Sequence, residues 1–180
     1  MAENLVDDQP TRRAYLVLHD YGMGGLWWWI RASSAEEITA AFAEVEVVGN
    51  PAAITRARTW DLDELDIEDA KTGSLASFYE TRQRQRQDPA FGRLFGKDRV
   101  YLRLPEPEGQ ETEWLTEHGR DGRMLRRVEL RADGTALTSD LENWPINPPF
   151  DLGDPQLAAC EISRAEFEQA WGQGTPDPDW

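Results

Sequence analysis

A chain of 180 residues with 39% hydrophobic content is long enough to bury one sizeable core, or two small ones, without covalent or metal staples. Its 34 acidic against 19 basic side chains leave a formal charge of −15, which repels phosphate backbones and argues against direct nucleic-acid binding. Cys160 is the single cysteine, no run of about 18 apolar residues marks a membrane span, and residues 1 to 11 are acidic where a signal peptide is basic and then apolar; the expected setting is the cytoplasm, with no membrane and no cofactor.

The first elements are two β-prone runs, Ala14 to Tyr21 and Leu26 to Arg31, joined through Gly22, Met23, Gly24 and Gly25. Their length and glycine content predict a hairpin. The second run carries Trp27, Trp28 and Trp29, and strand alternation sends Trp27 and Trp29 to one face and Trp28 to the other. A second apolar layer, a ligand or a partner must therefore cover the face a neighbouring helix does not. Two readings of Trp28 follow: buried by the second half of the chain, as a joint between modules, or exposed where a partner binds.

Ser34 stands three residues before Glu37, a capping-box spacing, and Ile38, Ala41, Phe42 and Val45 then recur at helical intervals. The resulting helix is expected to lie on the hairpin and cover one tryptophan face. Glu44 to Val48 alternates like a short strand before Gly49-Asn50-Pro51 breaks it, so residues 14 to 48 read as a β-β-α-β unit.

Residues Trp60 to Asp69 interleave six carboxylates with apolar side chains. The comparison with a calcium loop fails, because Leu65 stands where the third ligand is needed and Asp66 where the turn glycine is needed. Trp60, Leu62, Leu65 and Ile67 read as anchors of a partly buried turn or short helix. Asp61, Asp63 and Asp66 form an acidic rim suited to a cationic partner.

Residues 74 to 87 resume a helical pattern, with Leu75, Phe78 and Tyr79 on one side and the basic cluster Arg82, Arg84 and Arg86 matched to the acids of 61 to 69. A packed loop or short helix over Pro89 to Gly96 leads into a strand over Arg99 to Leu104. Pro105-Glu-Pro-Glu-Gly109 is the clearest internal break. Beyond it, strand-like runs over Thr112 to His118, Met124 to Ala132 and Thr135 to Ser139 are separated by Asp121-Gly122 and Asp133-Gly134, which predicts an antiparallel meander. The prolines of Trp144 to Phe150 exclude regular structure. Ser163 and Glu166 then repeat the capping spacing and start a helix with Phe167, Ala170 and Trp171 inward, and residues 172 to 180 are expected to fray. The fold class is α+β: antiparallel sheets with a few short helices packed on one face, in halves spanning residues 12 to 104 and 110 to 171.

Residues 112 to 171 resemble a small bacterial domain family associated with polymorphic-toxin immunity proteins. The resemblance is carried by Arg126-Arg-Val-Glu-Leu-Arg-Ala-Asp-Gly134 and by Glu161-Ile-Ser-Arg-Ala-Glu-Phe-Glu-Gln-Ala-Trp171. It implies a small α+β module with an interaction role and supplies no catalytic residues. The proline-rich connection at 145 to 149 and the whole first half depart from it.

The catalytic inventory is thin. His19 and His118 lie on expected strands, where a structural or surface role outweighs a catalytic one, and Cys160 sits beside Glu161, which opposes thiolate formation. No Gly-x-Ser-x-Gly elbow, P-loop or His-Glu-x-x-His is present; a carboxylate pair assembled in space stays open. The leading reading is a noncatalytic acidic interaction module, an immunity-type inhibitor of a basic protein, with Trp27, Trp28, Trp29, Tyr21, Trp60, Asp61, Asp63 and Asp66 as the candidate surface. The alternative is a small-ligand protein or enzyme with a tryptophan-lined pocket.

Overall fold

The structure, a computed structural model, describes residues 11–22, 24–105, 112–141, 144 and 146–178. Met23 of the hairpin turn, residues 106 to 109 of the internal break, Pro145 and the last two residues of the tail lie outside them. Among the described residues the protein is α+β, with a four-stranded sheet, a five-stranded sheet and six short helices. Two compact units divide the chain: Met1–Asp20 with Gly24–Arg82, and Tyr21–Met23 with Gln83–Trp180. Residues 83 to 104, expected with the first half, therefore belong to the second, because their strand pairs into the second sheet.

In the first unit, β1 (Arg13–Asp20) and β2 (Gly25–Ala32) form the expected antiparallel hairpin, with Val17 opposite Trp28 and Leu16 opposite Trp29. Gly22, at φ +86°, takes the left-handed conformation the turn requires. Ser34 caps α1 (Ala35–Ala41) by accepting from the Glu37 amide at 3.2 Å, while the Glu37 carboxylate reaches back to the amide and hydroxyl of Ser33. Strand β3 (Glu46–Val47) pairs with β1.

Asn50-Pro51 starts a helix where a break was expected. The Asn50 side chain accepts from the amides of Ala52 and Ala53, and Pro51 supplies a preset φ at the first position of α2 (Pro51–Ala57). The acidic run then folds as a strand and a helix where a turn or short helix was expected. Its residues β4 (Glu64–Asp66) pair in parallel with β2, and Asp66 caps α3 (Ile67–Thr72). The helix α4 (Ala76–Gln85) follows. The sheet order is β3-β1-β2-β4, and its core joins Val17, Trp28 and Ile30 to Ile38 from α1 and Phe42 at its C-cap, Ile67 and Ala70 from α3, and Leu75.

In the second unit, β5 (Arg99–Pro105), β6 (Thr112–Gly119), β7 (Met124–Arg131) and β8 (Ala136–Asp140) form an antiparallel meander. Gly122 and Gly134 hold φ of +84° and +85° at its two Asp-Gly turns. Asp154-Pro155 repeats the cap-and-proline start and opens α5 (Pro155–Ala159). Ser163 caps α6 (Arg164–Gln173), accepting from the Glu166 amide at 3.1 Å. Part of the tail expected to fray is instead held: β9 (Thr175–Pro176) pairs in parallel with β8, and the Asp177 amide donates to the Thr138 carbonyl at 2.9 Å.

Alternation along β5 to β7 amends the expected one-sided cover. Tyr101, Leu115 and Val128 pack on Phe167 of α6, whereas Val100 and Leu102 pack with Leu94, Leu152 and Ala158, so this sheet carries helices on both faces.

Candidate functional site

The register of the hairpin decides what the three tryptophans do. Trp28, paired with Val17, points into the first core and is 6% exposed; its ring meets Phe78 edge to face at 6.2 Å. Both readings of Trp28 made from the sequence are thereby overturned. It is buried within its own unit by α1, α3 and the start of α4, and it is not a surface anchor.

Trp27 and Trp29 lie on the other face, half-buried. The segment that follows α2 comes over them: Trp60 stands edge to face with Trp27 at 5.3 Å and 77°, and the Arg58 guanidinium lies 5.6 Å from the centre of the Trp29 ring. The chain is led there by α2, whose last residue Ala57 is fully buried, and held there by the Trp29 amide, which donates to the Asp63 carbonyl at 2.9 Å. Trp60 keeps 39% of its surface exposed. Asp61 and Asp63 follow it as exposed carboxylates. The result is an aromatic surface of three tryptophans and one guanidinium, assembled from β2 and the α2–β4 connection, in which Asp61 and Asp63 are exposed.

Asp66, in register with Arg31, shares the sheet face of Trp29, but its carboxylate is already engaged. Arg12 donates to both of its carboxylate oxygens, at 2.5 and 2.7 Å, and the Glu68 amide donates to it as a cap; the Arg12 hydrogen bond, foremost, holds this carboxyl below its usual range. Tyr21, 59% exposed at the hairpin tip, groups with the second unit. The acids of the run meet Arg12, Arg31 and Lys71, through Asp66, Glu64 and Glu68. The basic cluster expected to match them behaves differently at Arg82, which is buried and donates to the Phe42 carbonyl through Nε and Nη2, tying α4 to the end of α1. Arg58 was not singled out by sequence reasoning. Its signal was adjacency, since Arg58-Thr59-Trp60 puts a cation two residues before an aromatic at the head of the acidic run.

His118, His19 and Cys160 each pack within the fold. His118 is fully buried, its Nδ1 donating to the Gly122 carbonyl at 3.0 Å and its Nε2 hydrogen-bonded to the Thr116 hydroxyl at 2.9 Å. Burial lowers its pKa below the usual histidine range, which favours the neutral imidazole. His19 donates through Nδ1 to the carbonyl of Glu44, a residue held at φ +56°, and its ring packs on Phe78. Cys160 ends α5, half-buried against the second core.

The densest charge cluster is on the α6 side of the second sheet. Arg126 pairs with the buried Glu117 and with Glu168 at 2.8 Å, and its guanidinium lies 4.9 and 4.8 Å from the Phe167 and Trp171 rings. Hydrogen bonding from Arg126 holds the Glu168 carboxyl below its usual range, and burial raises the Tyr101 phenol beside Glu117. These groups bond one another between strand and helix. Among the described residues, no group of three or more His, Cys, Asp or Glu side chains converges to hold a metal, and no helix is long and apolar enough to cross a membrane. Compared with protein-family models, curated proteins and solved structures, the chain finds no match.

Proposed function

We propose that this protein is a noncatalytic interaction module that binds a basic protein partner, as an immunity-type inhibitor does, through the outer face of its first sheet. The observation that carries the reading is the gathering of Trp27, Trp29 and Trp60 beside the exposed Asp61 and Asp63 in a chain of charge −15. Large aromatics supply contact area at low entropic cost, and a surrounding field of one sign steers a partner of the other. Burial of Trp28 narrows the surface to residues that alternation leaves outside.

The test is affinity capture from an extract of the source cells with three baits: the parental protein, Trp60→Ala, and the double substitution Asp61→Lys/Asp63→Lys. All three positions are exposed, so each bait keeps its circular dichroism spectrum. The parental bait retains a stoichiometric basic protein that is released as salt rises, and both variants lose it by about tenfold or more, the effect of removing roughly 1.4 kcal/mol. Recovery of no stoichiometric partner by the parental bait, or equal retention by both variants, refutes the proposal.

A further inference from the structure

The face just described already contains a bound guanidinium, that of Arg58 over Trp29. The two halves of this contact differ in how firmly they are held. Trp29 sits within β2, its backbone bonded to Asp63 and its strand neighbour Leu16 buried, so the ring is a fixed wall. Arg58 lies beyond the end of α2 on an exposed side chain, and at 5.6 Å its guanidinium stands near the outer limit for an attraction to an indole face. Such a contact in a wet setting is weak, which makes its occupant exchangeable. A second guanidinium arriving from outside would find the same indole face, on which its flat group stacks in a way an ammonium does not match, in a chain of charge −15 whose Asp61 and Asp63 stand exposed in the connection that carries Arg58 there.

We infer that Arg58 is an internal placeholder, which occupies the Trp29 face in the free protein and yields it to an arginine side chain of the basic partner. The inference rests on the interaction reading and specifies its chemistry: the recognised group is arginine, and the Trp29 face receives it.

The experiment measures binding of two labelled peptides, one alternating arginine with glycine and one alternating lysine with glycine, by fluorescence anisotropy. Proteins compared are the parental chain, Arg58→Ala, Trp29→Phe and Arg56→Ala. Arg56 is an exposed neighbour on α2, and its removal subtracts the same charge without vacating the ring. Arg58→Ala tightens the arginine peptide by about 2- to 5-fold beyond whatever Arg56→Ala does, the factor corresponding to release of one exposed cation–aromatic contact. Trp29→Phe weakens it, since indole is the better face, and the lysine peptide gains less than the arginine peptide from Arg58→Ala. Equal gains in Arg58→Ala and Arg56→Ala, or an unchanged affinity in Trp29→Phe, overturn the inference. If those results come with capture of a basic partner by the parental bait, the interaction reading stands and only the placeholder falls; if neither peptide nor cellular partner binds, both fall.

Discussion

Trp28 on β2 and Trp60 on the connection beside it offer a contrast between core and surface. Trp28 is 6% exposed, joins the first core beside Val17, Ile30, Ile38 and Phe42, and meets Phe78 edge to face. Replacing it by alanine removes an indole and leaves a cavity that close-packed neighbours refill only in part, a loss of about 3 to 5 kcal/mol. Against a domain stability of roughly 5 to 15 kcal/mol this is a large fraction of the whole. Trp60 is 39% exposed and its main aromatic contact is the Trp27 ring at 5.3 Å. Truncating it forfeits that edge-to-face pair, worth about 0.5 to 1.5 kcal/mol, and opens no interior cavity. Urea denaturation of both variants, followed by far-ultraviolet circular dichroism, should show the midpoint falling several times further for Trp28→Ala than for Trp60→Ala. Slopes should stay near the parental value, because the surface exposed on unfolding hardly changes. Equal losses in the two variants, or a Trp28→Ala loss below about 1.5 kcal/mol, the bottom of the range for burying one large apolar side chain, would refute the assignment of one ring to the core and the other to the surface.

His118 makes stability depend on pH in a defined direction. Burial lowers its folded pKa below the unfolded value near 6.5, so the unfolded chain takes the proton first and stability is lost as pH falls from about 6.5 towards the folded pKa, by at most about 1.4 kcal/mol per pH unit. Denaturation at a series of pH values should show this fall in the parental protein and a flatter profile in His118→Gln; parallel profiles would reject it. The depressed carboxyls of Glu37, Asp66 and Glu168 act in a separate window, contributing stability above their unfolded values near 4 that disappears as pH falls through the folded ones. The two Asp-Gly turns offer a paired test. Gly122 and Gly134 share a left-handed backbone, but a β-carbon at Gly122 collides with the Phe150 carbonyl oxygen while one at Gly134 meets open space. Gly134→Ala should cost about 1 to 2 kcal/mol, the left-handed penalty alone, and Gly122→Ala clearly more, as read from their urea midpoints.

Much of this architecture is legible in local chemistry. The hairpin follows from two β-prone runs around glycines, the meander from two Asp-Gly turns, and α1 and α6 from Ser34 and Ser163 with an acid three residues on. Asn50-Pro51 and Asp154-Pro155 carried an equally local signal, a cap and a proline at the first helical position, which is easily taken for a break because the same residues also make turns. The acidic run was harder, since its carboxylates mask the short apolar alternation that becomes β4, and the tail harder still, since nothing within residues 172 to 178 records that β8 offers an unpaired edge.

Sequence alone determined that Trp27 and Trp29 must part from Trp28, because side chains on a strand alternate whatever the surroundings. Which face would be core was decided by the tertiary structure. The helices that close over Trp28 come from three separate segments, and the segment that brings Arg58 and Trp60 to the opposite face is positioned by the pairing of β4 with β2. Alternation is a property of one strand; burial belongs to whatever packs against it.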